Sequence, residues 1–487
     1  MGASLRLALA LAVGAPLPPA PGRPPLPPAS RPAPAPEATA TGRTGKSTKS
    51  TKAAPARPAV PAEPATLAEA LLLTLDEAGL DELVDAGHEE GRCRGGRGCP
   101  IPLRRAAFPP WLDLAVIRLD ERGRALEAAN VQVDWSAPRG RVVLLDANYA
   151  AADVRFRRWS LERADQGPRA PPFTDQDDLA PDRGTSGRDF MSPYPASLFK
   201  LLIAFHVERR AAQGAIALSA EVPEGTAPGA EWRTVDEWLE LMVTESDNRA
   251  TKALLRFLHV RGEMELLHAE LAGLGLSTLR IDGTLPADGT RWAPGEIHAT
   301  AMDLARLLWL VTGGPGVLWR APSGRAVVRE TLPEPARARL KRVLAYQGRH
   351  EILSTGSACG AVAAGIPAAV PAHFLDVESG DEVVGETAYG HDVRPCNAAA
   401  EVRFLHKTGL TWNYAADAGL VEPLPGKPFR RYVVAMTSSA GTRWIDPERA
   451  AAPRHPCDEG LTCASQRLAR LGAAVDAWAV RASAAGR

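Results

Sequence analysis

Residues Pro195–Phe205 read PASLFKLLIAF, a serine and a lysine three positions apart at the head of a long apolar run. The run continues to Gly214 with apolar residues on a broad face, which predicts a helix. Residues three apart on a helix share a face, so Ser197 and Lys200 come within reach of one another. A serine hydroxyl at its ordinary pKa is a poor nucleophile and needs a base beside it. A lysine taken out of water sheds its proton readily and can be that base. A helix start also presents the Ser197 amide, and the positive end of the helix, to a developing oxyanion. The chain has only eight lysines, and Lys200 alone has a serine three residues before it. A lysine meant only for the surface is not expected inside SLFKLLIAF.

Two further short motifs lie downstream. Ser246-Asp247-Asn248 stands between two helical patterns (Thr234–Val243 and Arg249–Leu258) and by itself reads as an N-cap cluster. Lys407-Thr408-Gly409 ends the strand-like run EVRFLHKTG, where a lysine and a threonine could hold a carboxylate and a glycine lets a substrate backbone lie against a strand edge. RRYVVAMTSSA follows as a second strand-like run, with NYAADAGLV between the two.

S-x-x-K, S-D-N and K-T-G occur once each and in this order, and together they resemble the motif set of class A β-lactamases and penicillin-binding proteins. The resemblance runs from about residue 67 to 484. HATAMDLARLLWL is similar to the helix after the active-site loop of class A enzymes, and GIPAAVPAHF to their stretch before the K-T-G strand. It implies an α/β (α+β) fold of the β-lactamase/transpeptidase type, an antiparallel sheet flanked by helices plus a helical subdomain. It implies Ser197 as the acylated nucleophile and Lys200 as the acylation base. Ser246 would bridge Lys200 and Lys407 and pass a proton to the leaving nitrogen. Asn248 would fix the lysine and the substrate amide, with Asp247 mainly structural. Lys407 and Thr408 would bind the substrate carboxylate, with Gly409 and Leu410 completing the substrate-binding strand. The amides of Ser197 and Leu410 would form the oxyanion hole. Trp412 reads equally as a cover over the ligand or as a packed tryptophan. No cofactor and no metal is implied.

The sequence departs from the class A pattern in two places. The E-x-x-L-N glutamate that orients the deacylating water is absent; its position falls near Leu285 in LRIDGTLPADG, with Asp282, Asp288 and Glu296 as the nearby acids. The span from S-D-N to K-T-G is also long, which places an insertion at about 318–400, stapled by Cys359 and Cys396 and able to serve as a lid or a partner surface.

The rest of the chain sets the context. Met1, Arg6 and LALALAVGA over Leu7–Ala15 resemble a secretory signal within residues 1–20, with Ala15 or Ala20 as the cut. Residues 21–64 are rich in Pro, Ala and Thr and read as an extended linker. The GKS within it lacks the glycine of a phosphate-binding loop, whose place Ala40 holds, and lacks the flanking strand and helix. Residues 65–487 form the hydrolase domain. It opens with a helix over TLAEALLLTLDEAGLDELVDAG to Gly87, then strand, turn and strand over LAVIRLDERGRALEAANVQVDW, then the apolar run Arg141–Ala147. Residues 161–190 read as a loop. A helix fits Ala299–Val311, and Leu468, Leu471, Val475 and Trp478 close the chain on an amphipathic helix. Six cysteines in neighbouring pairs (Cys93/Cys99, Cys359/Cys396, Cys457/Cys463) read as disulfides of an exported protein. Metal binding is the rival reading, but no pair is C-x-x-C and only His455 lies close to one.

The formal net charge of +0 gives no field to steer the chain onto nucleic acid, and no apolar run is long enough to span a bilayer. The expectation is a secreted or cell-envelope monomer acting on a small-molecule β-lactam or a D-alanyl cell-wall peptide. The competing class is a binding module that senses β-lactams or wall fragments by acylation without turnover, or that serves as an inert scaffold.

Overall fold

The computed structural model describes residues 64–87, 104–181, 187–446 and 463–486. The expected signal and linker lie outside the described residues, as do Cys93, Cys99, His455 and Cys457; of Cys463 only the backbone is described.

A six-stranded antiparallel sheet carries the fold. In chain order its strands are β1 (Leu112–Leu119), β2 (Ala125–Asp134), β3 (Ala137–Val143), β4 (Val402–Leu410), β5 (Ala415–Pro423) and β6 (Tyr432–Ser438), and their spatial order is β4-β5-β6-β1-β2-β3. The period-2 alternation of LDLAVIRL serves both faces of the sheet. Leu112, Leu114 and Val116 enter one core, while Ala115, Ile117 and Leu119 enter the other. A central strand covered on both sides buries every residue, Asp113 included. That carboxylate accepts from Asn130 and Gln132 and, through Oδ2, from the amide of Ala301 at 2.9 Å. It thereby caps a helix start from within the sheet.

The first core holds the amphipathic helices α1 (Leu67–Ala78) and, at the far end of the chain, Cys463–Ala484. The second holds the helical subdomain: α2 (Lys200–Ala212), α3 (Val235–Thr244), α4 (Asn248–Val260), α5 (Glu263–Gly273), α6 (Ala301–Thr312) and α7 (Glu334–Ala345). The C-terminal helix is α8. An antiparallel sheet flanked by helices with a helical subdomain is the architecture expected from the motifs.

Several local readings need correction. The first helix ends at Gly79, not Gly87: Gly79 takes a left-handed conformation (φ 59°), and its amide closes on Asp76. The supposed loop 161–190 contains a short helix, Leu161–Gln166, and a strand, Arg188–Met191. Glu263–Gly273, unassigned from sequence, is helical. The segment 315–400 resolves into a hairpin (Val317–Arg320 with Ala326–Val328), α7, a second hairpin (Asp381–Val384 with Thr387–Asp392) and a short helix, Arg394–Ala399. Cys359 and Cys396 are joined by a disulfide with Cα atoms 5.8 Å apart, the pairing expected from their spacing.

Candidate active site

Ser197 sits in a 3-10 turn, Ala196–Phe199, and Lys200 begins the α-helix behind it. The expected helix is therefore tighter at its first turn. Ala196 is left-handed (φ 46°), a conformation that costs an L-residue energy and persists only when its surroundings hold it. The support is visible. Tyr194 and Trp159 both pack edge-on against Tyr414, with ring centroids 5.3 and 5.8 Å away, behind the turn. Gly409 on β4 lies against the turn's backbone, so that a Cβ there would stand 2.4 Å from the Pro195 carbonyl oxygen and 2.7 Å from the Ser197 nitrogen. The turn that carries Ser197 is therefore by itself enough to require glycine in K-T-G. Within Ser192–Lys200, Ser197 alone is not fully buried.

Lys200 is wholly buried. Its Nζ donates to the Ser246 carbonyl at 2.6 Å and to Asn248 Oδ1 at 2.8 Å, and lies 3.3 Å from Ser246 Oγ. Burial first, and the Lys407 cation second, hold its pKa well below that of a free lysine. A neutral amine has two hydrogens and one lone pair. The two shortest bonds use both hydrogens, which leaves the lone pair to accept a hydroxyl proton. Ser246 is the second left-handed residue of the site (φ 64°). Its neighbour Asp247 turns away to cap α4, accepting from the amides of Arg249 and Ala250. The bland reading of S-D-N as a cap is thus right for its aspartate, while Ser246 and Asn248 face Lys200.

Lys407 reaches the same hydroxyl from β4: its Nζ donates to Ser246 Oγ at 2.9 Å and to the Thr408 carbonyl at 2.8 Å. Burial, and then the Arg349 guanidinium, push its pKa down to about 7. Arg349 escaped the sequence reading because no motif marks it. Its Nε donates to the Glu245 carbonyl, one residue before Ser246, and its positive charge also disfavours protonated Lys200. A run of Gln347-Gly348-Arg349 after a helix carries no signal of this placement.

The pleat of β4 orders the rest. Val402 bonds outward, away from β5, to Pro367 and Ala369. Alternation along an unbroken register gives Leu410 the same parity, so its amide also points away from β5, beside the Ser197 amide that Gly409 adjoins. Thr408 alternates with Lys407, which puts its buried side chain on the opposite face of β4. Trp412 donates its indole N–H to the Gly87 carbonyl at 2.9 Å and is anchored in the fold by that bond.

The three acids near the missing glutamate each have a partner, although Glu296 Oε2 is buried without one. Asp282 takes two bonds of 2.9 Å from Arg280, Asp288 accepts from the Thr290 amide and hydroxyl, and Glu296 pairs with Arg291. Their loop does border the turn that carries Ser197, since Trp292 packs on Phe199 with centroids 5.6 Å apart.

Residues 189–347 match the family model described as the Beta-lactamase enzyme family, which bears out the resemblance read from the motifs. That match takes in Ser197, Lys200 and Ser246–Asn248 and stops before the second hairpin and K-T-G. No curated protein is significantly similar in sequence. Among solved structures, a β-lactamase from Xanthomonas campestris pv. campestris is 14% identical with a TM-score of 0.40, covering 85% of this chain and 98% of that one. PBP-A in an acyl-enzyme complex with penicillin G is 19% identical, with a TM-score of 0.36 and coverage of 59% and 81%. A β-lactamase from Chitinophaga pinensis is 14% identical, with a TM-score of 0.37 and coverage of 59% and 86%.

Proposed function

We propose that this protein is an extracytoplasmic serine hydrolase that opens β-lactams through an acyl-enzyme on Ser197. The observation that carries the reading is the convergence of Lys200 Nζ and Lys407 Nζ on the single hydroxyl of Ser246. Neutral Lys200 takes the Ser197 proton as Oγ attacks the lactam carbonyl. The amides of Ser197 and Leu410 receive the oxyanion. As the C–N bond breaks, Ser246 passes a proton to the leaving nitrogen and recovers one from the lysines. Lys407, reinforced by Arg349, holds the ligand's carboxylate. Water then cleaves the ester and restores Ser197.

A second reading is favoured by the engaged acids of the 280–298 segment. Asp282 is held by Arg280 and Asp288 by Thr290, and the one oxygen of these three acids without a partner, Glu296 Oε2, is buried against Gly283 and out of contact with solvent. Acylation would then outrun deacylation, as in a D,D-carboxypeptidase acting on D-alanyl peptides or in a sensor of β-lactams.

Intact-mass measurement over time with penicillin G tests both. Wild type gains one penicilloyl adduct and Ser197→Ala gains none; equal labelling of the variant would sink the assignment of the nucleophile. An adduct that vanishes while penicilloate accumulates supports turnover. One that persists for hours supports the second reading.

A further inference from the structure

A groove of about 590 Å³ runs between α7 and the β4–β5 end of the sheet, lined by none of the residues assigned to the candidate active site. Its floor is apolar, formed by Val370, Leu405 and Leu424, and its rim carries Lys341, Arg342 and Arg403. The volume is that of a site for a drug-sized molecule. The charges are the unusual part. Glu422 is the one carboxylate in the lining, and it is already bonded to Arg431 at 2.6 Å. Arg342 stands 3.9 Å from Glu240, both exposed. Among the described residues neither Lys341 nor Arg403 has a carboxylate within ion-pair distance, although Lys341 is half-buried. Glu422, shared with Arg431, is the one lining carboxylate that acts on Lys341, and it stands opposite Arg403 in the strand register, so cations outnumber it over the apolar floor; an anion with an apolar body would relieve that surplus.

We propose that this groove binds a small amphipathic anion, its carboxylate, phosphate or sulfonate held between Lys341 and Arg403 and its apolar body lying on Val370, Leu405 and Leu424. Burial holds the Lys341 ammonium below its ordinary pKa, and a bound anion restores it.

The probe is 8-anilinonaphthalene-1-sulfonate, followed by fluorescence on the full chain, with neutral 1-anilinonaphthalene as the control. The expected result is one site per chain, weakened about tenfold or more in the double variant Lys341→Gln, Arg403→Gln. Binding should weaken with salt, persist after Ser197 is acylated, and exceed that of the neutral analogue. Decanoate and decyl phosphate should each displace the probe where decanol does not, and the stronger of the two names the headgroup. Unchanged penicillin acylation in the double variant shows that it is folded. Undiminished probe affinity in that folded variant, or equal binding of the neutral analogue, overturns the proposal.

Discussion

Lys200 and Lys407 share one buried site, and the Lys407 cation makes a proton on Lys200 less welcome. In the proposed mechanism acylation needs Lys200 without its proton and Lys407 with one, so its rate should be bell-shaped in pH. The rising limb belongs to Lys200. The falling limb belongs to Lys407, whose cation is lost in the free protein as pH climbs through about 7. Arg349→Gln removes a positive charge that depresses both. Both limbs should therefore move to higher pH in that variant, read as the acylation rate by penicillin G across pH. A methyl ester of the same penicillin has no carboxylate for Lys407 and should lose the falling limb. Limbs that stay in place in Arg349→Gln would remove Arg349 from the site's electrostatics.

At the scale of elements, β4 and the 3-10 turn are locked together by one missing side chain. Gly409→Ala places a methyl against the Pro195 carbonyl and the Ser197 amide, both backbone atoms that cannot swing aside. The strand end or the turn must shift, and a displacement of about 1 Å at a reacting group costs on the order of 100-fold in rate. The expected outcome is acylation slowed by about that factor, with circular dichroism and melting temperature nearly unchanged. Acylation at the wild-type rate would mean that the turn is not held by this contact. The second hairpin belongs to another unit of stability. Its small core of Ala358, Phe374, Val384 and Tyr389 is closed by Cys359–Cys396, 37 residues apart in sequence. A cross-link over a loop of that length stabilises by roughly 3–4 kcal/mol through the unfolded ensemble. Cys359→Ser with Cys396→Ser should raise amide exchange across 356–399 by several kcal/mol less protection while leaving the sheet's slow amides slow. Because Arg349 also approaches Thr387 at 3.4 Å, acylation should slow modestly in the same variant.

At the scale of the molecule, the sheet separates two cores, and the chain ends of the described fold meet on one side of it. α8 is tied to the sheet by charge as well as by apolar packing: Asp476 accepts from Arg430 Nε at 3.1 Å and Nη2 at 3.0 Å and from the Tyr432 hydroxyl at 3.0 Å. Arg430 is fully buried. Glu401 also accepts from Nη2, at 2.7 Å, so removing Asp476 leaves the guanidinium half paired, with its buried Nε unsatisfied, which costs about 1–3 kcal/mol. Asp476→Ala should lose that much in urea unfolding, and the penicillin acylation rate of the folded fraction should be unaffected, since the change lies across the sheet from Ser197. A simultaneous Arg430→Met should recover most of the loss; failure to recover it would mean that Asp476 acts through its bond to Tyr432.

The sequence by itself determined the elements whose signals are local. LDLAVIRL alternates because each neighbouring side chain meets a different core, and SLFKLLIAF is apolar around its lysine because that lysine is buried. The spacing of Ser197 and Lys200, the S-D-N triplet and the K-T-G strand end could be read for the same reason, since each motif is a short stretch of backbone carrying its own geometry. Tertiary structure alone decided what the motifs do to one another. It brought Lys200 from 46 residues away and Lys407 from 161 residues away onto Ser246, set Arg349 beside them, and seated Gly409 against the turn that carries Ser197. It also paired Asp282 with Arg280 and one oxygen of Glu296 with Arg291, pairings that sequence could not assign. The physical reason is that pKa, close approach and charge pairing depend on which groups share a few ångströms of low-dielectric space, and sequence distance does not encode that.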